Sequence, residues 1–79
     1  TGLVAEPAQI GEAHRFCRAQ ITKQLGAKAA SMRLLYGGSV KAANAAEIFK
    51  IDCVDGALVG GASLRFEDFS PIIEALETA

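Results

Sequence analysis

The sequence predicts an α/β protein with parallel strands, and three observations carry that prediction. Helix-like and strand-like segments alternate along the chain, each strand-like run breaks on a glycine pair, and the connections are short. Residues 7–25 come first and read as an amphipathic helix. Pro7 suits the first helical position, where its missing N–H costs nothing. Ile10, His14, Cys17, Ile21 and Leu25 recur at spacings of three and four and trace one apolar stripe. Gly26 follows, where a left-handed C-cap is commonly needed.

Met32–Tyr36 is a short apolar run ending in Gly37-Gly38-Ser39, too short for a helix and suited to a buried strand. Asn44-Ala45-Ala46-Glu47 resembles a capping box and places a helix from there to about Lys50, with Ile48 and Phe49 on its buried side. Gly56–Val59 repeats the strand pattern and ends in Gly60-Gly61. A final helix carries Phe69, Ile72, Ile73 and Leu76 on one face. Pro71 would remove an early intrahelical bond, so the regular helix is expected to begin near Ser70, after a looser turn over residues 62–69. Two strands do not make a stable parallel sheet alone, so the local signals require a larger fold, either a barrel or a doubly wound sheet.

Composition narrows the function classes. Of 79 residues, 51% are hydrophobic and 22% charged, which is globular rather than disordered, and a length for one small domain. A formal net charge of -1 gives no reason to expect a nucleic-acid or membrane partner. No uncharged run approaches the roughly 20 residues of a membrane helix, and no targeting segment is visible. Cys17 and Cys53 read as small buried hydrophobes in a reducing compartment rather than a disulfide. The chain opens on Thr1-Gly2, with no initiator Met and no strand before its first helix. A chain of this size buries only about 60% of its unfolded surface. It is therefore expected to be a piece of something larger.

The two glycine pairs hold the chemistry. Glycine lets a ligand approach the backbone with no Cβ in the way. Several N–H groups then converge on an anion without any basic side chain. Each pair also serves equally well as a tight strand-to-helix turn. Two pairs at successive parallel strand ends, however, fall at one end of the sheet, where α/β proteins bind ligands and barrels often hold a phosphate. The pattern points to a phosphate half-site.

The motifs are more specific still. Tyr36-Gly37-Gly38-Ser39-Val40-Lys41, Asn44-Ala45-Ala46-Glu47 and Asp55-Gly56-Ala57-Leu58-Val59-Gly60-Gly61-Ala62-Ser63-Leu64 resemble, in order and separation, the C-terminal signatures of the triosephosphate isomerase family. Thr1-Gly2 with Ala5 resembles the second half of that family's mobile lid, and Glu12-Ala13-His14 the helix that follows. The resemblance covers essentially the whole chain. It implies that residues 1–79 are the C-terminal part of one (β/α)8 TIM barrel domain, from its sixth helix to its eighth. It also implies interconversion of dihydroxyacetone phosphate and glyceraldehyde 3-phosphate through an enediolate, in the cytoplasm, by a homodimer without metal or cofactor. The family's base and neutral histidine are the usual teaching example of tuned catalytic groups. By the family's pattern those groups and a lysine lie upstream of Thr1, so no catalytic residue is expected here and the chain alone is expected to be inactive. His14, on the apolar stripe, reads as a hydrogen-bonded packing residue.

What the resemblance assigns to this chain is binding. Ser39, Gly60 and Gly61 match the backbone donors to the substrate phosphate. Gly2, Leu3, Val4 and Ala5 match the lid, whose closure is again the stock illustration of loop gating. Tyr36 matches a latch to the Ala5 N–H, and Ser39 one to Gly2. Gly37, Gly38 and Leu58 are expected to line the pocket. Leu3-Val4-Ala5 departs from the usual Lys-Thr-Ala hinge, and Ala42-Ala43 from a usual Pro-Asp pair. The alternatives are a self-associating or phosphate-binding module, using strand edges left open, and another phosphate-binding barrel enzyme.

Overall fold

The computed structural model describes residues 5–79. Helix α1 spans Pro7–Leu25, with Pro7 in its first turn and the Glu6 N–H donating to Gln9 Oε1 at 3.1 Å. Gly26 turns the chain out of it with φ 61° and ψ -132°, a positive-φ conformation outside the left-handed helical well that was expected. Its N–H still returns to the Thr22 carbonyl. A 3-10 turn, Gly26–Ser31, follows. Strand β1 is Leu35–Tyr36, helix α2 Ala42–Phe49, strand β2 Gly56–Ala57, and helix α3 Phe66–Glu77 after a 3-10 turn at Gly61–Leu64.

The strands pair in parallel, Leu35 opposite Gly56 and Tyr36 opposite Ala57. Both are shorter than the apolar runs that predicted them. Bonds from Asp55 N–H to Leu34 O and from Leu58 N–H to Tyr36 O, each 2.9 Å, carry the ladder one step beyond the strands. Past that point neither run has a partner among the described residues, and a strand cannot extend without one. Leu35 and Leu58 are correspondingly exposed, at 54% and 71%, where buried strands were expected.

Both later helices begin earlier than predicted. In α2 the residue before the first turn is Lys41, not Asn44, and Asn44 instead reaches back to accept the Lys41 N–H at 2.8 Å. The asparagine is still a capping group, but from the third helical position. Helix α3 starts at Phe66 and contains Pro71 rather than starting after it. The proline forfeits one bond, to the Glu67 carbonyl in the first turn, while Asp68 and Phe69 N–H both reach Arg65 O at 3.1 and 3.0 Å. Packing offsets that loss, because Phe69, Ile72 and Ala75 from either side of Pro71 press against the core. The buried face thus uses Ala75, leaving Ile73 and Leu76 exposed, contrary to the predicted stripe.

The core joins Ile10, Tyr36, Val40, Ala45, Ile48, Phe49, Val54 and Ile72. On α1 only Ile10 of the predicted stripe is fully buried; Leu25 and Cys17 are exposed, so Cys17 is not the buried hydrophobe expected. The core touches α1 near its N-terminal end, and Cys17 lies past that contact. Gly11 sits at the contact, where a Cβ would lie 3.2 Å from Ile51 Cγ2. Farther along, Arg18 donates to the Ala29 carbonyl and pairs with Asp55 at 2.8 Å, tying α1 to the start of β2.

Tyr36 folds back so that its hydroxyl and ring carbons lie over Gly38; a Cβ there would meet Tyr36 Oη and Cζ in hard overlap. Gly38→Ala is therefore expected to push the buried Tyr36 ring outward and cost about 1 to 3 kcal/mol, as overpacking does. Chemical denaturation read by tyrosine fluorescence checks this. An unchanged midpoint and spectrum would show that the ring yields freely.

Candidate functional site

The segments that follow the two strands meet on one concavity of about 470 Å³, lined by Ser39, Val40, Lys41, Ala42, Ala43, Gly60, Gly61, Ala62 and Asp68. Ser39, Gly60 and Gly61, picked out in the sequence as anion donors, are thus brought together from segments about twenty residues apart. Among the described residues, no turn or loop hydrogen bond takes the N–H of any of the three. The Gly60 carbonyl, by contrast, is occupied by the Ser63 N–H at 2.9 Å and the Ser63 hydroxyl at 2.6 Å. Nothing lies within 4 Å of a Cβ built on Gly60 or Gly61, so the backbone there is approachable.

Helix α2 begins in the wall of the concavity. Its first two residues, Ala42 and Ala43, line it, and helix N-termini carry partial positive charge. The Ala-Ala departure noted in the sequence therefore lies in the site wall itself. Asn44 holds this corner from behind. Its side-chain amide donates to Ser39 O at 3.1 Å while its carbonyl accepts from Lys41 N–H. The sequence showed Asn44 only as a cap; its spacing of five from Ser39 is the signal that it also braces the loop at Ser39. Asn44→Ala is expected to cost about 1 kcal/mol of stability. It should also weaken any anion held at Ser39 more than Gln9→Ala, the equivalent change on α1. Parallel titrations and melts check both statements.

The remaining expected site residues lie elsewhere. Gly37, Gly38 and Leu58 are exposed and do not line the concavity; they directly follow the strands, before the chain turns toward it. Tyr36 is buried, its ring 6.4 Å from that of His14 and tilted by 45°. Its expected partner Ala5 is exposed at the edge of the described segment, and Gly2, Leu3 and Val4 lie outside the described residues. His14 Nδ1 lies 3.1 Å from the Cys53 carbonyl, the hydrogen-bonded packing role read from the sequence. Cys53 itself has a positive φ of 68°. Among the described residues no group of His, Cys, Asp or Glu is placed to hold a metal ion, and no helix is long and apolar enough to cross a membrane.

Helices alternating with parallel strands, with the segments after both strands meeting on one concavity, define a βα-repeat segment of an α/β protein. The profile of the family described as triosephosphate isomerase matches residues 1–76. The chain belongs to the triosephosphate isomerase family. It is 59% identical over 80 residues to the triosephosphate isomerase of Ruegeria pomeroyi, a match covering all of this chain and 32% of that protein. With the Mesorhizobium japonicum enzyme it shares 53% over 75 residues, 95% of this chain and 29% of the other. The crystal structure of triosephosphate isomerase from Bartonella henselae superimposes with a TM-score of 0.89 at 42% identity, covering 94% of this chain and 31% of that one. The fold is accordingly part of a TIM barrel, and the chain spans about a third of the length of these relatives.

Proposed function

We propose that this chain supplies the substrate-phosphate half-site and part of the lid of a triosephosphate isomerase, as the closing part of one barrel domain. The observation that carries this reading is the meeting of Ser39, Gly60 and Gly61 on one concavity, with N–H groups that no turn consumes. The reaction interconverts dihydroxyacetone phosphate and glyceraldehyde 3-phosphate through an enediolate, in cytoplasmic glycolysis and gluconeogenesis, by a homodimer. In it, these donors hold the phosphate while chemistry proceeds at the other end of the substrate. Binding remote from the reacting carbons fixes their position and so lowers the barrier. The lid, Gly2 to Ala5, closes over the bound substrate and is latched by Tyr36 and Ser39. Proton abstraction needs a base within hydrogen-bond reach, and none of the carboxylates here matches one, so the chain alone is inactive.

A chimera tests this. Residues 1–79 replace the matching segment of the Ruegeria pomeroyi enzyme, and isomerase activity and thermal stability are measured together. A folded chimera with activity within about tenfold of the parent is expected. A chimera that melts like the parent yet turns over no substrate would overturn the reading. Turnover by the isolated chain would refute the claim that it is inactive.

A second property has its own support. β1 and β2 each have an outer edge without a partner among the described residues, beside the exposed Leu35 and Leu58. Open edges pair with other chains, so the isolated chain self-associates. Light scattering should show oligomers; a monodisperse monomer at high concentration would count against it.

A further inference from the structure

We propose that Asp68 is a charge-selectivity residue of this concavity, lowering its preference for dianions, and that Lys41 opposes it. The inference rests on the phosphate reading above. Both residues line the concavity with Ser39, Gly60 and Gly61. Neither enters an ion pair among the described residues, whose two pairs are Arg18–Asp55 and Arg65–Glu67. The Lys41 bond to Asn44 uses its backbone N–H, and Asp68 donates from its backbone to Arg65 O, so among the described residues no ion pair or side-chain hydrogen bond engages either charged group.

Their effect follows from what else surrounds the site. Glycine N–H groups and a helix terminus offer partial charges, not a formal one. Lys41 and Asp68 are the formal charges on the concavity wall, and an anion there interacts with both. Coulomb energy scales with the product of charges, so Asp68 disfavours a dianion twice as strongly as a monoanion. Asp68 also belongs to the first turn of α3, where a carboxylate stabilises the helix. Stability and dianion binding therefore make opposite demands on the same side chain. That opposition separates a selectivity role from a merely structural one.

The test uses the folded chimera described above, titrated at about pH 8 with inorganic phosphate, a dianion there, and with the monoanion methanesulfonate. The Gly60 and Gly61 amide resonances report binding. Asp68→Asn is expected to tighten phosphate about three- to tenfold, and methanesulfonate by about the square root of that factor, while lowering the melting temperature slightly. Lys41→Gln is expected to weaken phosphate to a similar degree. Both effects should shrink in about 1 M salt. Wild-type binding of phosphate with Asp68→Asn unchanged, or with both anions shifted equally, would overturn this inference and leave the half-site standing. Failure of all three proteins to bind phosphate would overturn the half-site and this inference with it.

Discussion

Ile48→Ala is expected to destabilise the chain by about 3 to 4 kcal/mol, within the usual range for emptying a closed core site. Ile48 is 1% exposed and lies in α2 at the centre of the cluster that α2 and α3 form with Tyr36 and Val54. Its neighbours are short elements held by tertiary contacts, with β1 and β2 only two residues each. They have little freedom to collapse into the cavity without breaking the strand ladder. A domain of this size has only about 4 to 12 kcal/mol of total stability. The variant should therefore lose about a quarter or more of that margin, while Ile48→Val should cost about 1 kcal/mol. Urea denaturation followed by circular dichroism measures both. A loss below about 1 kcal/mol for the alanine would mean that the site repacks, and that α2 is not pinned as described.

Asp55→Ala should be the second largest loss, about 2 kcal/mol. Its carboxylate Oδ2 accepts from the Leu34 N–H at 2.8 Å and from Arg18 Nη2 at the same distance, while its own N–H closes the ladder on Leu34 O. One residue thus ties α1 to the entries of both strands, its side chain through Arg18 and the Leu34 N–H and its backbone through Leu34 O. The ion pair is partly exposed, at 22% and 35%, so its Coulomb part is discounted to a few tenths of a kcal/mol. Most of the loss comes from leaving the Leu34 N–H without its charged acceptor. Asp55→Asn keeps an acceptor oxygen there and should lose about half as much. Arg18→Ala removes the pair, and the bond to the Ala29 carbonyl with it, but leaves the bond to Leu34. Melting curves for the three variants at low and high salt rank these contributions. A loss for Asp55→Ala that disappears at high salt would mean that the ion pair, not the backbone bond, holds the corner.

Legibility varied with the physics behind each signal. Helix α1 was readable end to end because Pro7 and Gly26 act locally, through missing donors and permitted torsions. That Ser39, Gly60 and Gly61 share one concavity was legible for a similar reason, since each follows a short strand-like run that ends in glycine. The start of α3 was not, because the local cost of Pro71 is outweighed by Phe69 and Ile72 on the core, a contact spacing cannot reveal. Cys17 was misjudged similarly: the stripe on α1 is continuous in sequence, yet the core meets only its first part. Asp68 and Lys41 gave no sign of sharing a wall. They lie twenty-seven positions apart, and only the return of α3 beside the start of α2 places both on the concavity.

By itself, then, the sequence determined the element types, their parallel arrangement and the family, since torsional freedom, helix termini and apolar periodicity are properties of neighbours in the chain. The tertiary structure decided where α2 and α3 begin, which apolar residues are covered, and which charged residues line the concavity. Those outcomes turn on energies of contacts between distant segments. Such contacts are comparable in size to the local preferences they override, and they exist only once the chain has closed on itself.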